Sequence, residues 1–305
     1  MEENIKWKRG QIILFLALTV VLWLLLPVTG QAQPTGKVQE GLRFSSQILS
    51  QEIRYTIYLP PDYETSNRRY PVVYLLHGYT DSDLAWVQFG QVNLIADIAI
   101  SSGELPPIII VMPDGGVSWY INDYQGKVRY EDMFCQELIP YIDSNYRTRA
   151  SREFRGVAGL SMGGWGTLVY ALRHPDLFTA AAAFSAAVWT DEEIIATDDK
   201  TYEQMFGRLY GPGLKGRERL TAHFQGYNPL QLVNTLPLDK IKSVRFYLDC
   251  GDDDFLYKGN AALHVAMRDR KIPHEARMRD GAHTWSYWRT GILDGLKFIS
   301  VSFSR

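Results

Sequence analysis

Apolar positions along the chain fall into short unbroken runs separated by longer amphipathic stretches. Unbroken runs occupy residues 71–76, 107–112 and 180–184, runs carrying a single arginine occupy 154–158 and 244–248, and a shorter, more polar one lies at 275–278. Runs of this length without alternation suit strands of a parallel sheet buried on both faces. Two earlier segments, 43–49 and 53–59, read as paired strands. In the second, Ile53, Tyr55, Ile57 and Leu59 alternate with other residues, and Pro60-Pro61-Asp62-Tyr63 closes it. Residues 92–102, 130–145, 165–173 and 260–270 have helical composition, and Met133, Phe134, Leu138 and Ile142 share a face of the second. Strand and helix in alternation predict an α/β fold with a mostly parallel central sheet and helices on both faces.

Two stretches depart from this rhythm. At the start, Lys6, Lys8 and Arg9 precede an apolar run at 12–26, followed by small and polar residues. This is the layout of an export signal, with cleavage expected after Ala32. An uncleaved membrane anchor is the rival. Fifteen residues at 1.5 Å each span only about 22 Å, short of the roughly 30 Å apolar layer of a bilayer. The expected organisation is therefore a signal at 1–32, a flexible lead at 33–41 and a single domain at 42–305, exported to the periplasm or beyond. The second departure is 187–243, a long polar segment rich in Gly, Pro and aromatics between two strands. It is expected to be a cap-like insertion over the site, with a surface excursion as the other reading.

Composition narrows the function. The 305 residues carry 32 basic and 34 acidic side chains. No cationic excess exists to neutralise phosphates, so a nucleic-acid partner is not expected. Two cysteines, Cys135 and Cys250, allow at most one disulfide, and both read as buried thiols. The sequence has no zinc or EF-hand spacing and no phosphate-binding loop, so neither metal nor cofactor is expected.

The chemistry is concentrated in Gly159-Leu160-Ser161-Met162-Gly163-Gly164, between the strand at 154–158 and the helix at 165–173. Strand, sharp turn and helix are the context of a nucleophile elbow, which presents a serine hydroxyl above a sheet. Side chains two residues before and after Ser161 would meet neighbouring backbone, hence Gly159 and Gly163. Gly164 and Gly166 are expected to let the helix approach the sheet. The Met162 amide, at the positive end of that helix, is one candidate oxyanion donor. The other comes from the loop after the strand at 71–76, His77-Gly78-Tyr79-Thr80, where the Tyr79 amide is favoured and His77 reads as structural.

Of six histidines, His283 follows the last strand and so lies where open α/β sheets place their sites. It is the candidate base. His174 is about 20 Å of helix away from Ser161, and His77, His223, His264 and His274 are the remaining alternatives. The acid should follow the strand at 244–248, where Asp249, Asp252, Asp253 and Asp254 compete. The loop must carry it away from the strand end, which favours Asp254, with Asp252 second. Trp119, Tyr120, Trp165 and Trp189 are candidates for an aromatic substrate cleft, with ordinary packing the other reading of each. Trp285 is expected to pack behind His283.

These segments, with Tyr74–Tyr79, Met112–Gly116, Tyr130–Met133, Glu137–Ile142, Cys250–Leu256 and Gly281–Trp285, resemble the esterase D and feruloyl-esterase-like branch of the α/β-hydrolases over about residues 40–300. The resemblance implies the α/β-hydrolase fold and cofactor-free serine ester hydrolysis. It also implies that the acid is the aspartate before the Phe-Leu pair, Asp254. The implied substrates are feruloyl or acetyl esters of polysaccharide, short-chain acyl esters or siderophore esters. Transfer of the acyl group to a sugar or lipid alcohol, and a binding module with an inactive triad, are the alternatives.

Overall fold

The computed structural model describes residues 35–304. The expected export signal lies outside the described residues. Eight strands form one sheet: β1 (Lys37–Ser46), β2 (Gln51–Leu59), β3 (Val72–Leu76), β4 (Ile109–Pro113), β5 (Arg155–Leu160), β6 (Ala180–Phe184), β7 (Arg245–Gly251) and β8 (His274–Arg279). Their order is β1-β2-β4-β3-β5-β6-β7-β8. β2 runs antiparallel to both β1 and β4, and the other neighbours are parallel. Every residue of β3, β4, β5 and β6 is buried, including Arg155 at the start of β5, which is paired with Asp143 at 2.7 Å.

The lead at 33–41 is corrected by the register. Lys37, Val38 and Gln39 already pair with Leu59, Tyr58 and Ile57, and a bulge separates Gln39 from Leu42. β1 is an edge strand whose side chains are mostly exposed or half-buried, so it carries little hydrophobic pattern to read. It ends at Ser46, and residues 47–50 form the turn into β2.

The named helices are α1 (Val92–Ser101), α2 (residues 130–145, with a π turn at Phe134–Leu138), α3 (Met162–Arg173), α4 (Tyr257–Asp269) and α5 (Trp285–Ser300). Alternate residues of each central strand enter opposite layers. Val72, Tyr74 and Leu76 pack in one core with Phe134 and Leu138 of α2 and Leu168 and Leu172 of α3. Val73 and Leu75 pack in the other with Val92 and Ala96 of α1 and Ile292, Leu296 and Ile299 of α5. The sheet is thus covered by helices on both faces, as expected of an α/β-hydrolase. The sequence reading did not include α5, although Trp288, Ile292, Leu296 and Ile299 show its 3–4 residue spacing. Residues 187–243 hold a set of short helices between 191 and 242. Among the described residues no helix is long and apolar enough to cross a membrane.

Candidate active site

Strand order reverses at β3, between β4 and β5, and the carboxyl ends of β3, β5, β7 and β8 carry the chemistry-bearing loops. Such a switch point is where open α/β sheets bind ligands. Ser161 links β5 to α3 at φ 53°, ψ −117°, a sparsely populated conformation for a residue with a side chain. The turn is over-determined. Ser161 donates its N–H to Phe184 O at 2.9 Å, and its carbonyl accepts from the Trp165 and Ala187 amides, both at 2.9 Å. A Cβ at Gly159 would lie 2.5 Å from Gly163 O, and one at Gly163 would lie 2.5 Å from Leu76 O. Gly164 fits against Ala186 at the end of β6. Gly166 does not face the sheet as expected; it accommodates the Tyr120 ring.

The three side chains singled out for the nucleophile, base and acid are joined. His283 Nε2 is 3.0 Å from Ser161 Oγ, and His283 Nδ1 is 2.8 Å from Asp254 Oδ2. Asp254 is buried, and its Oδ1 accepts the Leu256 amide at 2.9 Å. Burial alone would raise its pKa, but the His283 and Leu256 hydrogen bonds outweigh burial and hold the carboxyl below its ordinary value. The hydrogen bonds are therefore consistent with Nδ1–H donating to Asp254 and Nε2 accepting the serine hydroxyl. The competing aspartates have other work. Asp252, exposed, accepts the Gly281 amide at 2.9 Å and fastens the loop that carries His283. Asp249 is fully buried, paired with Arg279 at 3.0 Å and bonded by the Tyr247 and Tyr287 hydroxyls.

Trp285 does not pack behind His283. That position belongs to Trp288, one turn further along α5, whose ring meets the imidazole edge-on at 4.8 Å. Trp288 is itself held by an indole N–H bond to Ser185 Oγ at 3.0 Å. Phe255 covers the imidazole with ring centroids 4.6 Å apart.

The loop after β3 sits against the serine. A Cβ at Gly78 would lie 3.7 Å from Ser161 Cβ. The loop is closed by Asp81 N–H to Gly78 O at 3.2 Å, with Thr80 at φ 67°, an uncommon conformation for a β-branched residue. His77 is structural, as expected: its Nε2 accepts the Gly115 amide at 2.8 Å, and its Nδ1 bonds Gly78 O at 2.8 Å. The Met162 amide is at the first position of α3, where no intrahelical acceptor exists.

A cleft of about 390 Å³ opens at Ser161 and His283. Trp119 and Trp189 line it, together with Tyr79, Met205, Phe255, Trp285, Asp81 and Thr284, which the sequence did not single out as cleft residues. Phe255 could have been found, since it directly follows Asp254. Tyr120 and Trp165 do not line the cleft. Trp119 and Tyr120 both have positive φ, 57° and 60°, and this double left-handed turn sends the two rings different ways. Tyr120 is fully buried, and its hydroxyl accepts the His77 amide at 2.9 Å and donates to His77 O at 3.1 Å. It props the loop after β3 from below. Trp165 is buried beneath Trp119 and Trp189, with centroids 6.1 and 6.0 Å away. Both are supports, not cleft walls.

The other histidines are engaged elsewhere. His174 bonds Glu131 at 2.8 Å, His223 bonds Asn122 O at 2.9 Å, and His264 bonds His274 at 2.8 Å. Cys135 and Cys250 are free thiols. Among the described residues no group of three or more His, Cys, Asp or Glu could hold a metal ion.

Residues 46–299 match the family model described as "Putative esterase". The chain belongs to this esterase family. An esterase of Mycobacterium tuberculosis is 30% identical over 266 residues, which cover 80% of this chain and 55% of that protein. An endo-1,4-beta-xylanase/feruloyl esterase of Xylanibacter ruminicola is 34% identical over 190 residues, covering 59% of this chain and 23% of that protein. This chain therefore spans about half the length of the first of these relatives and a smaller part of the second. Among solved structures, a ferulic acid esterase superposes with a TM-score of 0.76 at 32% identity, covering 88% of this chain and 99% of that one.

Proposed function

We propose that this member of the esterase family is an exported serine hydrolase of carboxylic esters, acting on short-chain acyl, acetyl or feruloyl esters, including those carried by polysaccharide. The reading rests on one observation above the others, the hydrogen-bonded chain from Asp254 through His283 to Ser161 at 2.8 and 3.0 Å. In this reading Ser161 Oγ attacks the ester carbonyl carbon while His283 Nε2 takes its proton. Asp254 holds the imidazole tautomer and stabilises the imidazolium. The carbonyl oxygen, now an oxyanion, is held by the Tyr79 and Met162 amides, each contributing about 3 kcal/mol. Collapse of the intermediate breaks the bond to the alcohol oxygen, which receives the proton from His283. Water, deprotonated by His283, then attacks the acyl-serine, and the returned proton restores Ser161 as the acid departs.

Trp119, Trp189, Tyr79 and Met205 would face the acyl group. Residues 187–243, which supply Trp189 and Met205, act as the cap. Ser161→Ala should abolish turnover of p-nitrophenyl acetate and labelling by a fluorophosphonate probe. Either activity retained would overturn the assignment.

A further inference from the structure

The rings that line the cleft fall into two groups, and among the described residues no ring contact joins them. Tyr79, Trp119 and Trp189 form one, with Tyr79–Trp119 and Trp119–Trp189 centroids 6.0 and 5.2 Å apart. Phe255 and Trp288 lie on the other side, 4.6 and 4.8 Å from the His283 ring, with Trp285 5.4 Å from Trp288. Resting on the hydrolase reading above, His283 hands its proton to the departing oxygen, so this second group borders the alcohol half of the ester. Asp81 belongs to the same side. It lines the cleft from the loop after β3, which runs directly into the short helix Ala85–Gln88, and Trp86 of that helix meets Trp285 at 5.2 Å and 87°.

Charge sets this side apart. Among the residues that line the cleft there is one carboxylate, Asp81, and no lysine or arginine. Asp81 is half-buried, and burial raises its pKa, opposed by His77 and the Gly78 backbone. His77 is not its counter-ion, because His77 Nε2 accepts the Gly115 amide at 2.8 Å and so carries no proton. The carboxylate is also close to the reacting serine: a Cβ on Gly78 would lie 3.1 Å from Asp81 Oδ2 and 3.7 Å from Ser161 Cβ. An uncompensated negative charge there opposes the oxyanion that forms on the substrate. A neutral alcohol half leaves that repulsion in place, and an anionic one adds to it. A cationic alcohol half removes it and keeps Asp81 ionised. The rings beside it suit the same charge, since aromatic faces attract cations and are the common recognition element for quaternary ammonium groups. Trp285 is half-buried and Phe255 is 67% exposed, so both leave ring surface open.

We infer that the His283 side of the cleft takes a cationic alcohol half, an amino alcohol bearing a quaternary or protonated amine, with Asp81 as its counter-ion and Trp285 and Phe255 as its rings. The bond broken is the same acyl–oxygen bond, and the products are the carboxylic acid and the cationic alcohol. Choline acetate and 3,3-dimethylbutyl acetate test this, because they differ only in a quaternary nitrogen replaced by a quaternary carbon. The wild type should favour the choline ester in kcat/KM by about tenfold. Asp81→Asn should bring that ratio close to one. Trp285→Ala should lower it severalfold, and Trp285→Phe, which keeps an aromatic ring, should restore most of it. Each variant is judged by two substrates on the same protein, so a loss of folded enzyme cancels. A ratio near one in the wild type, or a ratio unchanged by Asp81→Asn, would overturn the proposal. Binding is read apart from turnover, by ligand-observed NMR of tetramethylammonium with the folded Ser161→Ala chain. It should bind, and about tenfold more weakly once Asp81→Asn is added. No binding, or binding indifferent to Asp81→Asn, would overturn the cation site. If the wild type turned over neither acetate nor p-nitrophenyl acetate, the hydrolase reading would fall, and the tetramethylammonium titration would still decide the cation site.

Discussion

Glu131 offers the most quantitative test of how the site's scaffold is held. Its buried carboxylate receives four hydrogen bonds: from Arg173 Nε at 2.7 Å and Nη2 at 3.3 Å, from His174 at 2.8 Å and from the Tyr227 hydroxyl at 2.6 Å. It therefore ties α2 to the end of the helix that begins at Ser161, and both to the 187–243 segment. Burial opposes its charge, but the hydrogen bonds from His174 and Arg173, the Arg173 charge and the Tyr227 hydroxyl prevail, pulling its pKa from 4.5 to about 2. A difference of about 2.5 units is worth on the order of 3 kcal/mol. Because the folded-state value is depressed, this stabilisation is fully present above pH 4.5 and is lost as pH falls towards 2. At pH 3 about half should remain. Glu131→Gln should thus cost about 3 kcal/mol at pH 7 and roughly half as much at pH 3. Urea unfolding of both proteins at the two pH values measures this, compared where the denaturant slopes agree. Groups that titrate alike in the two proteins cancel in the difference. An equal cost at pH 7 and pH 3 would mean that Glu131 is not the ionised, paired carboxylate described here.

Three further outcomes are expected. Asp254→Asn should lower kcat/KM for p-nitrophenyl acetate about a thousandfold or more, by removing the charged acceptor that sets the His283 tautomer, whereas Asp252→Asn should cost much less; the reverse ranking would move the acid to the other aspartate. Gly163→Ala should destabilise the fold by about 3 kcal/mol or more, since its Cβ would lie 2.5 and 2.6 Å from the Leu76 and His77 carbonyl oxygens, backbone atoms that cannot rotate aside; a thermal midpoint within a degree or two of wild type would contradict that fit. Burial raises both thiols, Cys250 to about 12 and Cys135 further still, so native protein should react with a disulfide reagent far more slowly than unfolded protein, and fast release of two equivalents at pH 8 would refute the burial.

What the sequence could and could not reveal follows from how each residue's position is determined. Ser161 and His283 were legible because topology places them: one must fill a strand–helix turn bounded by glycines, the other must follow the last strand. The central strands were legible because burial on both faces leaves an unbroken apolar run. The first half of β1 was not, because an edge strand with a solvated face imposes no such demand on Lys37, Gln39 or Glu40.

The misplaced aromatics share a different cause, namely side-chain direction at the loops and helix starts around the cleft. Trp119 and Tyr120 are adjacent, similar in size and both left-handed. Hydrogen-bonding capacity separates them: the Tyr120 hydroxyl can bond both the amide and the carbonyl of His77 from beneath the loop, which an indole, a donor with no acceptor, cannot do. Trp285 and Trp288 are three residues apart on one helix, so both reach the neighbourhood of His283. Thr284 caps that helix through the Tyr287 amide and so sets its phase, placing Trp288 against the imidazole and leaving Trp285 at the cleft. A hydrogen-bonding inventory would have resolved the first pair and the cap position the second. Both distinctions bear on the site: Tyr120 holds up the Tyr79 loop from beneath, whereas Trp285, not packed against the base, lines the cleft.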